Sequence, residues 1–462
     1  MFKKNQTIHF VGIGGIGMSG IAEVLLNIGY RVTGSDIEPS SITRHLESLG
    51  CTIWYHHAPE HVNNAHVVVT SSAIREDNPE VVQAYRLSLP VIPRAEMLAE
   101  LMRMKYSIAV AGSHGKTTTT SLIATILAYA GLDPTVVIGG RLNNLGSNAV
   151  LGQGSFLVAE ADESDGSFLK LLPTIAVVTN IDREHLDFYT DLQTIQTAFL
   201  DFINKVSFYG AAVICADEQN VCDLIPKINR RFVTYGLCPN ADFRANNICQ
   251  EQLKTSFEVY KRNELLGKIQ VLLAGEHNVV NCLAAIAVAD ELEIEFPVVA
   301  EALAKFSGVE RRFRIRQVGD ILIVDDYAHH PREIQVTLQA AKAGWDKRLV
   351  VAFQPHRYTR TRDLWREFGP AFQKADVLVV SEIYPAGEDP IPNISGRLIY
   401  QSIRETSHPD ATFIENKDEI IPYLLQVIQP GDMVMFLGAG DIWKLADVIT
   451  EKLKQGRIDK SL

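Results

Sequence analysis

The 462-residue sequence lacks any long run of apolar residues, although 47% of its residues are hydrophobic. A membrane-spanning helix needs about 18 to 20 consecutive apolar residues, which argues against a channel or a transporter. The N-terminal stretch MFKKNQTIHFVGIG has neither the apolar core nor the small-residue cleavage site of a secretory signal. We therefore expect a cytoplasmic protein that does not bind membranes.

Cysteine is scarce as well, with six residues, none of which forms a C-x-x-C pair. No histidine pair lies near them at zinc-finger spacing. The sequence therefore argues against a disulfide framework and a cysteine-based zinc site, and it predicts reduced, mostly buried thiols. These thiols are Cys51, Cys215, Cys222, Cys238, Cys249 and Cys282.

An excess of positive charge is also missing. The chain has 55 acidic residues against 44 lysines and arginines, a formal net charge of −11. Such a surface repels the phosphate backbone of nucleic acids, so we expect no nucleic-acid partner. Local basic clusters can still bind small anions.

Internal repeats and low-complexity segments are absent, and short β-branched runs alternate with amphipathic helical stretches. This alternation is typical of parallel α/β folds. It predicts three domains, over residues 1–105, 106–312 and 313–462. We expect a Rossmann-like first domain, a central P-loop mononucleotide-binding domain with a small antiparallel sheet, and a Rossmann-like third domain.

The segment HFVGIGGIGMSG, which begins at His9, contains the first of two glycine loops. Gly12, Gly14 and Gly17 follow a predicted strand and precede a predicted helix, the G-x-G-x-x-G arrangement of dinucleotide-binding domains. Asp36 ends the second strand, where an acid that binds ribose is expected. Because a helix N-terminus attracts any pyrophosphate, the loop fits NAD, FAD or a UDP-sugar.

The segment VAGSHGKTTTT, which begins at Val110, contains the second glycine loop. It departs from the Walker A pattern G-x-x-x-x-G-K-[ST], because Val110 stands at the first glycine position. Gly112 and Gly115 still let the backbone approach a phosphate. Lys116 provides a cation for the β- and γ-phosphates and Thr117 a hydroxyl for Mg²⁺. The loop therefore predicts binding of ATP with Mg²⁺.

Several motifs occur together in one chain: GIGGIGMSGIAE, SSAIREDNPE, RAEMLAELM, GSHGKTTTT, ERRF, DDYAHHP and QPHRYTRT. In this combination the sequence resembles the Mur ligase family over nearly its whole length. The resemblance implies an ATP- and Mg²⁺-dependent ligase of bacterial peptidoglycan synthesis. It would join L-alanine to the lactyl carboxylate of UDP-N-acetylmuramate through an acyl phosphate, and it would release ADP and phosphate. The first loop would then bind the UDP pyrophosphate and the second ATP.

Loop chemistry and the resemblance together predict an ATP site. Its members are Gly112, Ser113, His114, Gly115, Lys116, Thr117, Thr118, Asn278, Asn281, Arg312 and Asp326. Asn278 and Asn281 lie three residues apart on one predicted helical face, although Asn278 can also cap its helix. Arg312 lies at a predicted hinge, from which domain closure can bring it onto a phosphate.

The predicted metal ligands are Thr117, Glu160 and His185. Glu160 ends a predicted strand in LVAEADESDGS, and the resemblance assigns it to Mg²⁺ and His185 to a second metal. Related ligases carry a carbamylated lysine downstream of this histidine, where this sequence has Leu200. A carbamate bridge is therefore not expected. The role of three further acids stays open: Asp162, Glu163 and Asp165.

The resemblance also implies two substrate pockets. Contacts with UDP-N-acetylmuramate are expected from Gly15, Ile16, Ser35, Asp36, Ser71, Ser72 and Arg94. An amino-acid pocket is expected from Tyr327, His329, His356, Arg357 and Arg360. His329 is a candidate base for the amine, although a structural histidine is an equal alternative. The predicted catalytic residues are Lys116, Glu160, His185, Arg312 and His329.

Three alternatives stay open on the sequence alone. A recycling ligase would attach a whole peptide to the same nucleotide sugar. An NAD-dependent oxidoreductase with an accessory ATPase domain would use the first loop for NAD. A regulator that binds nucleotides without turnover would need no amino-acid pocket. We expect a monomer or a weak homodimer.

Overall fold

The computed structural model describes residues 6–71, 73–138, 149–150, 152–185, 188–406 and 410–458. Within these residues the chain forms three β-sheets flanked by helices, each sheet built from a different part of the sequence. The predicted class, three consecutive α/β units, is confirmed. The limits at residues 105 and 312 stay predictions.

The first sheet is parallel, with the strand order β3-β2-β1-β4-β5. Its strands are β1 (Thr7–Val11), β2 (Arg31–Ser35), β3 (Thr52–Trp54), β4 (Val67–Thr70) and β5 (Val91–Pro93). Its helices are α1 (Ile16–Ile28), α2 (Ser41–Ser48), α3 (Pro79–Arg86) and α4 (Arg94–Met102). The central strand β1 leads directly into the first glycine loop, so the loop lies at the carboxyl edge of the sheet.

The second sheet has the order β15-β14-β13-β12-β11-β10-β6-β9-β7-β8. Its strands are β6 (Tyr106–Ala111), β7 (Thr135–Val137), β8 (Ala149–Val150), β9 (Phe156–Glu160), β10 (Ile175–Val178), β11 (Ala211–Cys215), β12 (Phe232–Gly236), β13 (Phe243–Glu251), β14 (Lys254–Lys261) and β15 (Glu264–Leu272). Its helices are α5 (Lys116–Tyr129), α6 (Leu192–Asn204), α7 (Gln219–Cys222), α8 (Glu276–Glu291) and α9 (Phe296–Ala304). The predicted antiparallel strands are present as β13 to β15, and they extend the parallel sheet because β13 also pairs with β12.

The third sheet has the order β16-β17-β21-β18-β19-β20, with β16 as an antiparallel edge. Its strands are β16 (Arg314–Val318), β17 (Ile321–Asp326), β18 (Leu349–Phe353), β19 (Val377–Ser381), β20 (Ala411–Ile414) and β21 (Met433–Leu437). Its helices are α10 (Pro331–Gly344), α11 (Tyr358–Ala371), α12 (Gly396–Glu405), α13 (Ile420–Val427) and α14 (Trp443–Ile458).

Buried apolar side chains join the first two units, whereas the third unit has its own core. Leu25 and Leu101 of the first unit belong to one contiguous cluster with Leu157 and Phe168 of the second. A separate cluster fills the third unit on one face of its sheet. Ala274 of the second unit belongs to that cluster, so the two units share an apolar contact, and polar side chains between them form much of the site described below.

Two simple expectations can be compared with the structure. No helix among the described residues is long and apolar enough to cross a membrane. All six cysteines are free, and Cys51, Cys215 and Cys282 are buried while Cys249 is exposed.

Candidate functional site

The second glycine loop joins the end of β6 to the start of α5. Gly112 has a φ of 141° and Gly115 a φ of 80°, which side chains rarely allow. A Cβ at Gly112 would lie 2.0 Å from Thr179 Oγ1, and one at Gly115 would lie 2.7 Å from Asn281 Oδ1. Both positions require glycine, so the loop is a tight turn before a helix N-terminus despite the missing first glycine.

The strand end of β10 holds this loop in place. The His114 N–H donates to Asn180 Oδ1 at 2.7 Å, and Thr179 Oγ1 donates to the His114 carbonyl at 2.6 Å. Ser113 Oγ accepts a hydrogen bond from the Asp182 N–H at 2.8 Å. Because the main chain of the loop is fixed by its neighbours, little reordering is needed for it to receive an anion.

Lys116 begins α5, and its side chain lies over the loop. Its Nζ donates to the Gly112 carbonyl at 2.5 Å and to Glu163 Oε1 at 2.8 Å. Burial alone would lower the pKa of Lys116, but the charges of Glu163 and Asp162 outweigh burial and raise this pKa. The side chain is therefore a cation above the loop, and Thr117 follows it in the first turn of the helix.

Carboxylates gather beside this cation. Glu160 ends β9 opposite Val110 of β6, next to the start of the loop. The Glu163 side chain is only 2% exposed, and its Oε1 lies 3.5 Å from His185 Nε2. Glu184 Oε2 lies 3.9 Å from the same His185 nitrogen.

Glu163, Glu184 and His185 each offer a ligand atom within 4.8 Å of the other two. Glu163 Oε2 is buried and has no hydrogen-bond partner in the described part of the chain. Two carboxylates and an imidazole suit a divalent cation, so these residues fit the metal that the sequence predicts near His185. Sequence reasoning left Glu163 open and missed Glu184.

The charge of Glu184 is maintained although its side chain is buried. Burial alone would raise the pKa of Glu184, but the charges of His114, Arg360, His330 and His185 lower it to about 2. A carboxylate that stays ionised in a closed site can bind a metal or a cationic substrate group.

A cavity of about 400 Å³ lies between the second and third units beside the loop. Seven of the predicted ATP-site residues line it: His114, Gly115, Thr118, Asn278, Asn281, Arg312 and Asp326. Asn281 Nδ2 donates to Asn278 Oδ1 at 3.1 Å, and Asn278 Nδ2 donates to the Ala274 carbonyl at 2.8 Å. The side chain of Asn278 thus has a structural bond and also faces the cavity.

The two hinge arginines differ in their partners. Arg311 Nη2 donates to the carbonyls of Gly438 and Gly440, at 2.8 and 3.1 Å. Arg312 instead lines the cavity, and its Nη1 lies 3.9 Å from Glu333 Oε1. Of the two, Arg312 is therefore the one positioned to meet a ligand in the cavity.

Asp326 ends β17 at the wall of the cavity. Its carboxylate accepts the N–H groups of Phe313 and Ala328, each at 2.7 Å. Burial raises the pKa of Asp326 to about 6, against the opposing charge of Arg312. These bonds fix the hinge loop around Arg312.

The predicted amino-acid residues form a continuous group in the third unit. The rings of Tyr327 and His329 lie 5.3 Å apart and those of His329 and His356 5.7 Å apart, both edge to face. Arg360 Nη1 lies 3.2 Å from His356 Nδ1, and its Nη2 lies 3.6 Å from Glu184 Oε1. Arg360 therefore links this group to the candidate metal ligands.

Arg357 and Arg360 also line a small cavity of about 30 Å³ together with His185. Arg357 has a φ of 71°, and its N–H donates to the Tyr384 carbonyl at 2.9 Å. Its Nη1 lies 3.9 Å from Glu388 Oε1. Two cations thus converge near His185, which suits recognition of a carboxylate.

The first glycine loop has a different set of bonds. The Ser35 carbonyl, at the end of β2, accepts the N–H groups of Gly12 and Ile13 at 2.8 and 2.9 Å. Asp36 Oδ2 accepts the Gly14 N–H at 2.7 Å. Gly15 is the N-cap of α1, and Ile16 is the first residue of that helix.

The Ser35 hydroxyl is buried and bonds inside the protein. It donates to Glu80 Oε2 at 2.5 Å and lies 2.9 Å from His57 Nδ1. Glu80 Oε1 also lies 2.7 Å from His61 Nδ1, and Glu80 Oε2 lies 3.6 Å from His9 Nε2. Sequence reasoning missed Glu80, which bonds to Ser35, the residue whose carbonyl holds the first loop.

Ser71 follows β4 at the same edge of the first sheet, and its carbonyl accepts the Ile74 N–H at 3.1 Å. Ser72 lies outside the described residues. Arg94 begins α4, and its Nη2 donates to Asp162 Oδ2 at 3.3 Å. A Cβ at Gly17 would lie 2.9 Å from Arg94 Nη1, so this arginine packs directly against the first loop.

The two glycine loops are therefore connected by neighbouring acids. Arg94 beside the first loop pairs with Asp162, and Lys116 of the second loop pairs with Glu163. The structure thus brings the two loops to either side of one short acidic segment.

Three family models match consecutive parts of the chain. The Mur ligase family catalytic domain matches residues 7–106, the Mur ligase middle domain residues 110–289, and the Mur ligase glutamate ligase domain residues 311–440.

Curated relatives match nearly the whole chain. The UDP-N-acetylmuramate–L-alanine ligase of Geotalea uraniireducens is 58% identical over 98% of this chain and 99% of its own length. That of Geobacter sulfurreducens is 56% identical over 99% of this chain and 100% of its own length.

Solved structures agree with these matches. The UDP-N-acetylmuramate-alanine ligase of Thermotoga maritima is 32% identical and has a TM-score of 0.82, over 98% of this chain and 100% of that one. A murein peptide ligase of Psychrobacter arcticus is 26% identical and has a TM-score of 0.71, over 97% and 99%. With three matched domain models and full-length relatives above half identity, the chain belongs to the Mur ligase family.

Proposed function

We propose that this chain is an ATP-dependent ligase that joins L-alanine to the lactyl carboxylate of UDP-N-acetylmuramate, with release of ADP and phosphate. The observation that carries the proposal is the arrangement of the two glycine loops, with Lys116 over one and Arg94 beside the other, around a shared acidic segment. Such an arrangement suits a reaction between a nucleotide sugar and a nucleoside triphosphate.

In this proposal the second loop and the adjoining cavity bind ATP. Lys116 is oriented for the β- and γ-phosphates, and it would exchange its bond with Glu163 for one with a phosphate. Asn278, Asn281, Arg312 and Asp326 supply polar groups around the cavity. A cavity of about 400 Å³ is of the size that small-molecule sites usually have.

The metal would be held by Thr117, Glu160 and His185, with Glu163 and Glu184 as further carboxylates. When bound, Mg²⁺ neutralises phosphate charge, which lets a carboxylate approach the triphosphate. Because Glu163 leaves one buried oxygen without a hydrogen bond among the described residues, its side chain fits a cation that is supplied with the nucleotide.

The first loop and its neighbours would bind the UDP-sugar, and the third unit the amino acid. Asp36 is oriented by the Gly14 N–H toward the edge of the sheet, where a ribose is expected. Arg357 and Arg360 would pair with the alanine carboxylate near His185. The expected cytoplasmic location and the expected monomer or weak dimer stay predictions.

The alternatives are less well supported. The two full-length curated relatives described above, both named as alanine ligases, are 58% and 56% identical, whereas the murein peptide ligase structure is 26% identical. This favours an amino acid over a whole peptide as the second substrate. An NAD-dependent oxidoreductase with an accessory ATPase domain needs no link between its two loops, whereas Arg94 beside the first loop pairs with Asp162 and Lys116 of the second pairs with the neighbouring Glu163.

The test is phosphate release from ATP and Mg²⁺ with UDP-N-acetylmuramate and each amino acid in turn. We expect release only when all components are present, and fastest with L-alanine. Replacing alanine with a tripeptide tests the recycling ligase. Measuring NADH absorbance instead of phosphate release tests the oxidoreductase. Release that is independent of the UDP-sugar, or faster with the tripeptide, would contradict the proposal.

A further inference from the structure

Glu333 lies where the second and third units meet, and it contacts both. It belongs to the first turn of α10, and its side chain is 11% exposed. Its Oε1 lies 3.3 Å from Nδ1 of His114 in the second glycine loop. Its Oε2 accepts the backbone N–H of His329 at 3.0 Å and lies 3.1 Å from the ring nitrogen Nδ1 of His329. One carboxylate therefore touches both the loop and the candidate base of the amino-acid group.

The neighbours of His329 decide which ring nitrogen carries its proton. Nδ1 lies 3.0 Å from the Tyr327 carbonyl and 3.1 Å from Glu333 Oε2. Because a carbonyl and a carboxylate can only accept, the proton must be on Nδ1. A neutral His329 then has its lone pair on Nε2, the nitrogen that can take a proton from an ammonium group.

His114 also lies between two acceptors, but these come from different units. Its Nδ1 lies 3.3 Å from Glu333 of the third unit, and its Nε2 lies 3.3 Å from Asp182 of the second. Burial alone would lower the pKa of His114, but the contacts with Asp182 and Glu333 outweigh it and raise the pKa to about 10. The ring is a cation that attracts Glu333 of the third unit to the loop of the second.

We propose that Glu333 is a positioning residue that makes activation of the amine depend on contact between the third unit and the second glycine loop. It holds His329 with Nε2 as the proton acceptor, and His114 holds Glu333 against the loop. An ammonium proton of the amino acid passes to Nε2. The amine electron pair then forms the C–N bond, the C–O bond to phosphate breaks with its pair leaving on phosphate, and the second proton that the nitrogen loses passes to the departing phosphate. This inference rests on the proposed function.

The experiment compares two nucleophiles in Glu333→Gln. L-Alanine must lose a proton before it attacks, whereas hydroxylamine is mostly unprotonated at neutral pH and needs no base. The glutamine oxygen can still accept the backbone N–H of His330 at the start of α10, so the helix is preserved. We expect kcat for alanine to fall by about 10²-fold, the lower range for loss of general base catalysis. Hydroxamate formation should stay within about twofold, since that nucleophile does not use the base.

Four further variants test the same inference. His329→Ala should give the same selective loss, and Glu415→Gln, which breaks an exposed ion pair with Arg397 of the same unit, should change neither rate. His114→Gln should also lower the ratio of alanine to hydroxylamine turnover. In the double variant His114→Gln/Glu333→Gln this ratio should be no lower than in the single variant with the lower ratio. Both changes remove the same interaction between His114 and Glu333, so their effects should not add.

Each outcome separates the inference from the function on which it rests. Loss of alanine turnover with hydroxamate formation retained supports the positioning role. Equal loss with both nucleophiles, or no loss with either, overturns that role while the wild-type activity still supports the proposed function. A wild-type protein inactive with both nucleophiles overturns the proposed function itself.

Discussion

The two glycine loops begin at the ends of central parallel strands and lead into helices, yet the charged side chain that bonds to each loop has the opposite sign. In the first loop the Gly14 N–H already donates to the Asp36 carboxylate. In the second, the cation of Lys116 lies over the turn, held by the Gly112 carbonyl and Glu163. The supports differ too, because the buried carboxylate of Glu80 lies beneath the first loop, whereas neutral Thr179 and Asn180 hold the second.

The contrast shows how little a glycine motif specifies by itself. Backbone amides at a helix N-terminus attract phosphate in both places. The side chains around the turn then select the rest of the ligand. An acid that can bind ribose hydroxyls favours a nucleotide sugar that has only a pyrophosphate, while a lysine favours the more highly charged triphosphate.

Removing the cation of the second loop should have the largest effect. We expect Lys116→Ala to lower ATP-dependent phosphate release by about 10³-fold, the upper range for loss of one group that stabilises transition-state charge. Binding of the UDP-sugar, measured by calorimetry, should be unchanged, because the bonds of Lys116 among the described residues go to the second loop and Glu163. Lys454→Ala, at an exposed ion pair of the third unit, is the control. Equal loss of UDP-sugar binding would mean that the loops do not act separately.

Removing the charge beneath the first loop should change stability with a defined pH dependence. Burial alone would raise the pKa of Glu80, but its contacts with His9, Ser35 and His61 lower this pKa from 4.5 to about 2. A lowered pKa in the folded state stabilises above pH 4.5, and this stabilisation is lost as the pH falls toward 2.

We therefore expect Glu80→Gln to lower the free energy of unfolding at pH 7 by about 3 kcal/mol, from 1.4 kcal/mol per unit of pKa. The difference from the wild type should shrink as the pH falls from 4.5 toward 2, measured by denaturant unfolding at each pH. Glu415→Gln should show a pH-independent and near-zero difference. A Glu80→Gln effect that does not vary with pH would contradict the assigned role of the charge.

Replacing the acid of the first loop should weaken one ligand only. Asp36→Asn keeps an oxygen that can accept the Gly14 N–H, but it removes the charge. We expect the Kd of the UDP-sugar to rise by roughly tenfold, about 1.5 kcal/mol for a charge-assisted hydrogen bond. The KM for ATP should not change. A matching rise in the KM for ATP would show that the two loops are energetically coupled.

Sequence periodicity was enough to predict the three α/β units, because β-branched runs and amphipathic helices carry a local signal. It did not predict β3, which has three residues, nor the helices α3 and α4. Such short elements depend on tertiary packing rather than on a repeated pattern. It also treated β13 to β15 as a sheet of their own, since pairing between β12 and β13 has no local signature.

Motifs likewise predicted the residues on the loops better than their partners. Gly112 and Lys116 stand in a recognisable spacing, whereas Glu184 and Glu333 are ordinary acids in sequence. Glu184 gains its role when the second unit folds and brings it near Glu163. Glu333 gains its role only when the third unit meets the second, where it contacts His114 across 219 residues. Within HHPRE, the spacing of His330 and Glu333 matches a helix capping box, which was an available signal for Glu333.

The smallest expected effect lies at the far end of the helix that follows the second loop. Gly131, just beyond α5, has a φ of 75°, and a Cβ there would have no heavy atom within 4 Å. Gly131→Ala therefore adds backbone strain without a clash, and we expect the free energy of unfolding to fall by about 1 kcal/mol. Since α5 has 14 residues, this end lies about 20 Å from Lys116, at 1.5 Å per residue. The KM for ATP should therefore equal that of the wild type. A raised KM would mean that strain at the helix end reaches the second loop. The loop would then be less rigid than its bonds to Thr179 and Asn180 imply.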